Sequence, residues 1–429
     1  MSTGSKGDAP AGEALLADGE AALAAGDSER AFDFLTRAAE AGVNPNVVHR
    51  LATAFATAGR YQNRHSDVLA WIDRSIDGAP HDRIIRAGLL RARVAVCRQL
   101  DLKRVLDLAE EALTAADEAG HEEAYASVLA HAAFAAYRRG DPRAAQEFAE
   151  RARDRAFNTP AAHYDAVRSQ MFAAITLGDL EKELELAVKA RALARDQNRP
   201  ADVANESNNL AEAYLELGYP TEALRCAETS VEVAREAGHV SVMVFGHVLI
   251  AAARAEGGDI DHALEEFDKV GPIDANRIFA VDFASTHAYW LLERNAAGDS
   301  QRAREIAERA IERAESAGVV NRLTGLHANV ARALGREGQD ERARDALESA
   351  RLAAESAEPR AQSLLALAVA EVLPVSAPKR RVALRNARAV VLRAAARRED
   401  PSAYCTRVRL HRRILELSGG VPDDLPNAS

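Results

Sequence analysis

A turn glycine, followed five residues later by a small residue and four after that by another, recurs about every forty residues through most of this 429-residue chain. The clearest copy is Gly218, Ala223 and Ala227, in the stretch Glu206 to Ala223. It returns at Gly26/Ala31, Gly140/Ala145/Ala149, Gly258/Ala263/Phe267, Gly298/Ala303/Ala307 and Gly338/Ala343, while Gly59 and Gly178 keep the glycine alone. Leu100 and Pro378 stand in the glycine's place before Val105/Ala109 and Ala383/Ala387. A unit this short cannot bury its apolar surface by itself, so copies must stack. One such array absorbs a length that otherwise implies two or three domains.

Both halves of each unit carry apolar residues at i, i+3, i+4 spacing, which predicts helix, short turn, helix. Second helices end on Gly120, Gly238 and Gly318, where glycine takes the left-handed C-cap without steric cost. Pro45, Pro160, Pro200 and Pro359 sit at the joints that open the next helix, where a missing N–H costs nothing. Seven residues before the turn a small residue is usual (Gly19, Ala52, Ala133, Ala211, Ala251, Ala331), which lets neighbouring helices approach. Four before it, Phe55, Tyr214 and Leu334 fill the space between them. No strand-like alternation competes with this pattern.

Leu210, Ala211, Tyr214, Gly218, Ala223 and Ala227 together resemble the signature of a tetratricopeptide repeat. The resemblance covers roughly residues 11–400, about ten repeats, and is best over 200–237 and 319–356. Arg93, Met171 and Leu291 depart from it where a small residue is expected. The period is similar to the long-helix variants in kinesin light chains and in the sensor arms of large bacterial transcriptional activators. The expected fold is therefore all-α, a right-handed α-solenoid. Residues 1–10 are expected to be disordered, 401–418 to form a capping helix and 419–429 a flexible tail, with the proline-rich joint Leu373 to Pro378 as the candidate hinge.

Net charge of −10 argues against general affinity for nucleic acid or an anionic membrane. Cys97, Cys226 and Cys405 are odd in number and far apart, as small core residues in a reducing compartment would be. The N-terminus lacks the apolar core of a secretory signal, and the longest apolar stretch, Val242 to Ala253, is too short to span a bilayer, so a cytoplasmic location is expected. There is no phosphate loop, dinucleotide fingerprint, HExxH or CxxC, and His121-Glu122-Glu123 reads as helix-start capping. No catalysis, metal or cofactor is expected.

Asn205, Asn208, Asn209, Glu212 and Glu216 share one helical face. The resemblance implies that first helices line a concave groove, and that an asparagine nine residues before the turn bonds the backbone of a bound peptide. Asn209 and Asn329 hold that place, and a carboxamide donates and accepts at once. The same offsets give a basic N-terminal lining (Arg91, Arg98, His131, Arg138, Arg168), an apolar section (Phe245, Val248, Leu249, Tyr289, Leu292), then Asn329, Arg332 and Arg336. Such a groove suits an amphipathic helix or extended segment carrying carboxylates.

From Lys379 to Arg413 the chain carries twelve Lys and Arg against Glu399 and Asp400. Arg381, Arg385 and Arg388 form a stripe suited to an acidic protein surface or to nucleic-acid phosphates, with a solvated capping face as the alternative. The partner and the oligomeric state are not written in the sequence. The expected function is a protein-interaction scaffold that captures a peptide or helix of a partner protein. The alternative is a regulatory or sensor subunit that controls transcription or an effector enzyme.

Overall fold

A computed structural model describes residues 9–78, 82–270, 277–354, 359–398 and 400–420. Its regular structure is helical throughout, in ten antiparallel hairpins. The first five are α1 (Ala9–Ala24) with α2 (Ser28–Ala41), α3 (Val48–Gln62) with α4 (His65–Asp77), α5 (Arg83–Cys97) with α6 (Leu102–Glu118), α7 (Glu122–Arg138) with α8 (Pro142–Asp154), and α9 (Pro160–Leu177) with α10 (Leu180–Asp196). The second five are α11 (Pro200–Leu217) with α12 (Pro220–Glu236), α13 (Val240–Glu256) with α14 (Ile260–Val270), α15 (Arg277–Arg294) with α16 (Asp299–Ala317), α17 (Leu323–Arg336) with α18 (Asp340–Ala353), and α19 (Pro359–Val372) with α20 (Pro378–Ala395). Two short helices, α21 (Pro401–Thr406) and α22 (Arg409–Leu417), follow. The all-α solenoid of about ten repeats is thus the architecture found. No helix among the described residues is long and apolar enough to cross a membrane.

Local chemistry sets the helix ends. The carboxylates of Asp27, Asp82, Asp101, Asp141 and Asp179 accept first-turn amides of the helices they precede, each cap contributing about 1 kcal/mol. Gly218 ends α11 with φ of 83°, a conformation that strains any other residue. Between hairpins the small residues do what their spacing predicts: Ala52, Ala133, Ala211 and Ala331 are fully buried.

Two expectations give way. Gly59 is not a turn residue; α3 runs through it, and Asn63 takes the left-handed turn instead. A Cβ on Gly59 would lie 2.5 Å from Val68, so this glycine serves close packing of α4 on α3. Residues 401–418 are two helices rather than one, because the chain extends at the buried Val408 and turns the Arg409 amide onto the Glu256 carboxylate at 3.0 Å. The candidate hinge joins α19 to α20, with Ala377 N–H on the Pro374 carbonyl at 2.9 Å and Arg380 Nε on the Ala370 carbonyl at 2.9 Å. The segments expected to be disordered or flexible lie almost wholly outside the described residues.

What the repeat pattern did not foretell is the pitch. Ser28 Oγ donates to the Gly238 carbonyl at 3.1 Å, and the Val320 and Asn321 amides donate to the Arg138 carbonyl at 2.9 and 3.1 Å. Arg398 pairs with Glu181, and a Cβ on Gly218 would meet the Ala403 carbonyl at 3.0 Å. Each contact joins loops about five repeats apart, so one superhelical turn rests on the next. The concave groove becomes a bore lined by odd-numbered helices, and α20 to α22 fold into it.

Candidate binding site

The central chamber of the bore lies between α7, α9, α11, α13 and α15 on one side and α20 to α22 on the other, and holds about 1210 Å³ open to solvent. Phe134 packs on Phe172 at 5.1 Å and Tyr137 stacks parallel to Phe172 at 6.3 Å. Across from them Phe245 stacks on Phe279 at 5.1 Å. A side extension of about 850 Å³ is lined by Val248, Leu249 and Tyr289 with Glu216, Glu256 and Arg360.

Charges in this chamber are paired across the bore. Arg138, the last residue of α7, grips Asp282 of α15 through Nη1 at 2.9 and 3.0 Å, and Arg322 reaches the same carboxylate at 2.7 Å. Burial raises the Asp282 carboxyl, but the two guanidiniums overcome it and hold it below its usual range. Arg360 pairs with Glu216 at 3.1 Å. Glu212 is the least compensated. Burial pushes it up to about 7, because Arg322, at 3.8 Å, offsets only part of the desolvation and Asp282 adds repulsion. A third of its side chain, 34%, still faces the chamber's open space.

A second, N-terminal chamber of about 990 Å³ lies between α3, α5, α7, α9 and the start of α11. Arg60, Arg91, Arg98, Arg168 and Arg199 face it, along with Glu123, Asp165, Asp202 and His131. Arg168 is committed to Glu206 at 3.0 Å, and Glu206 also accepts from Tyr164 at 2.8 Å and Asn209 at 2.7 Å. Burial, reinforced by Arg98 and Arg168, holds His131 neutral, well below its usual range. Arg98 borders both chambers.

The expected site residues divide. Asn205, Asn209, Glu212, Phe245, Leu249, Tyr289, Arg91 and His131 face the bore. Asn208 and Asn329, 2% and 0% exposed, bridge to the neighbouring first helix: Asn208, at the chamber wall, donates to the Val242 carbonyl of α13 at 3.1 Å, and Asn329, sealed between helices, to the Ser285 carbonyl of α15 at 3.3 Å. They tie backbone to backbone, since a first helix sits near enough to its neighbours for one carboxamide to span the gap. Arg332 is buried between Glu371 at 3.0 Å and Glu293 at 2.7 Å, Arg336 shares Glu371 at 2.9 Å, and Leu292 is core. The basic stripe is broken, with Arg381 and Arg385 exposed and Arg388 turned onto the Gly420 carbonyl.

The chamber also uses residues the spacing argument passed over: Phe134, Phe172, Phe279, Asp282, Arg322 and Arg360. One signal existed for Asp282, an acid alone in the apolar run from Ile278 to Leu292. Nothing local marks Arg322 or Arg360, because their partners lie one to about four repeats away along the chain. Among the described residues no cluster of His, Cys, Asp and Glu could hold a metal ion, and Cys97, Cys226 and Cys405 are buried free thiols.

No protein-family model and no curated protein sequence matches the chain. Among solved structures it is similar to Cut9–Hcn1, a hetero-tetramer of the APC/C, at TM-score 0.50 and 11% identity over 94% of this chain and 76% of that one. Looser likenesses are a Rap protein complexed with competence and sporulation factor (TM-score 0.45, 10% identity, 95% of this chain and 98% of that one) and NprR with its cognate peptide NprX (0.46, 15%, 74% and 98%). At these identities the likeness is one of fold, a helical-repeat solenoid of the tetratricopeptide type.

Proposed function

We propose that this chain is a non-catalytic peptide-binding repeat protein that takes an extended segment of a partner into its central chamber. The supporting observation is the chamber itself. It combines two aromatic clusters with charges of both signs along a wall open to solvent. Aromatic walls anchor side chains, while Asn205, Asn209 and Glu212 on α11 supply hydrogen bonds to a peptide backbone. The sealed Asn329 has no part in it.

A regulatory role is favoured by one feature. Because α20 to α22 form a wall of the chamber, an occupant presses on the C-terminal helices that carry the exposed Arg381 and Arg385, coupling occupancy to that basic surface. The period shared with sensor arms of bacterial activators agrees with such a role, and with a cytoplasmic protein.

The test is equilibration of the full chain with a random seven-residue peptide library, separation of bound from free by gel filtration, and sequencing of what is retained. A restricted set should be retained and should raise the melting temperature. Ala394→Trp, which fills the chamber from α20, should abolish retention. Indiscriminate retention, or retention indifferent to Ala394→Trp, would refute the reading.

A further inference from the structure

Arg98 caps the C-terminal end of α5 where the two chambers meet, and it is only 6% exposed. Its guanidinium lies 3.9 Å from the centre of the Phe134 ring. Nη1 is 3.4 Å from His131 Nδ1, which must be the acceptor since the arginine has only donors; Nε is buried without a partner. No carboxylate of the described residues forms an ion pair with it. Glu206, which attracts it from a distance, is already held by Arg168, Tyr164 and Asn209.

Its neighbours deepen the deficit. Arg60 also forms no ion pair among the described residues and has a buried, unpartnered Nε, and Arg91 donates to the neutral hydroxyl of Thr53 at 2.6 Å. Burial first, then repulsion from Arg168 and Arg60, depresses the Arg98 pKa. A buried charge without a counter-charge is strongly unfavourable, whereas a guanidinium fork fits a carboxylate through two parallel hydrogen bonds. The free Nε, with a neighbouring Nη, offers that fork, and Phe134 and His131 fix the plane in which it lies.

We propose that Arg98, flanked by Arg60 and Arg91, is the anchor for a carboxylate of the bound peptide, whose chain runs from there into the central chamber. This rests on the peptide-binding reading of the bore and gives the occupant a direction: acid at Arg98, with Glu212 farther along the wall to meet a cationic group. The carboxylate is either the peptide's C-terminus or an Asp or Glu side chain.

The experiment uses the full chain and four seven-residue libraries, with free or amidated C-termini and with or without Asp and Glu. Wild type should retain peptides only from libraries that keep a carboxylate. Loss on amidation identifies the terminus, and loss on omitting Asp and Glu identifies the side chain. Arg98→Met should weaken the best retained peptide about tenfold to a hundredfold by calorimetry, the range for a lost charge-assisted bond. Its own melting temperature should not fall, since an uncompensated charge has gone. Should Arg98→Met fail to fold, Arg98→Lys keeps the charge without the fork and should still bind more weakly than wild type. Retention of the amidated, acid-free library, or equal affinity for wild type and the Arg98 variants, overturns the anchor while leaving the bore as the peptide site. No retention of any library by wild type overturns both.

Discussion

Arg98 and Arg138 occupy the same place in successive repeats, two residues before the turn positions Leu100 and Gly140. Both end an inner helix, both are buried, and each lies near an aromatic ring, Phe134 at 3.9 Å and Tyr137 at 5.8 Å. They differ in what the next superhelical turn brings. Arg138 meets Asp282, whereas the position one repeat before Asp282 is Val242, packed among Ala204 and Ala234. The repeat decides where a charge is placed; the superhelical pitch decides whether it is neutralised. Arg138 is therefore a clamp between turns, and Arg98 a charge held open for a ligand.

The largest way to break this contrast is to remove the clamp's carboxylate. Asp282→Ala leaves Arg138 buried and unpaired and should cost about 3–5 kcal/mol of unfolding free energy in urea. A loss below about 1 kcal/mol would mean that the pair does not join the turns. Replacing both partners, Arg138→Met with Asp282→Leu, should recover only part of that loss, because the buried Arg138 charge is gone while Arg322 is left with Glu212 at 3.8 Å. If the double variant is as unstable as Asp282→Ala, the loss comes from Arg322 rather than from Arg138.

A middle-sized effect tests how far the site was legible in the sequence. Spacing alone placed Asn209 and Asn329 at equivalent positions, yet Asn209 faces the bore and Asn329 is sealed against the Ser285 carbonyl. Asn329→Ala should therefore cost about 1–3 kcal/mol of stability and leave peptide affinity unchanged, while a groove-facing residue would give the reverse. Hairpins, turn glycines and close-packing alanines could be read from the chain because they are local, set by capping and by i, i+4 packing. Gly59 was misread because a glycine needed for contact with Val68 looks the same as one needed for a turn. Arg322, Arg360 and Asp282 were missed for a different reason: the bore brings together side chains from one to about four repeats apart, and no local period records which of them meet.

The two arginines should also respond with opposite signs to the same truncation. Arg138→Met leaves the buried Asp282 with Arg322 alone and destabilises, whereas Arg98→Met strands nothing and should raise the unfolding free energy by about 1 kcal/mol. A fall of similar size at Arg98 would show that it has a counter-charge in the free protein.

Glu212 is the smallest and most diagnostic case, being the acidic counterpart of Arg98 in the same chamber. Its carboxyl titrates near 7 in the folded chain against 4.5 for an ordinary glutamate. Between those values the folded chain holds a proton that the unfolded chain has lost. The contribution is thus fully present below about pH 4.5 and disappears as pH rises through 7. Glu212→Gln mimics the protonated form. It should match wild type near pH 4 and exceed it near pH 8 by at most about 1 kcal/mol, the open third of the side chain limiting the gain. Urea midpoints at the two pH values decide it, and parallel curves would mean that Arg322 already compensates Glu212 in full. A bound peptide carrying a cation beside Glu212 should pull its pKa down, so peptide affinity for wild type should rise from pH 6 to 8 and stay flat for Glu212→Gln.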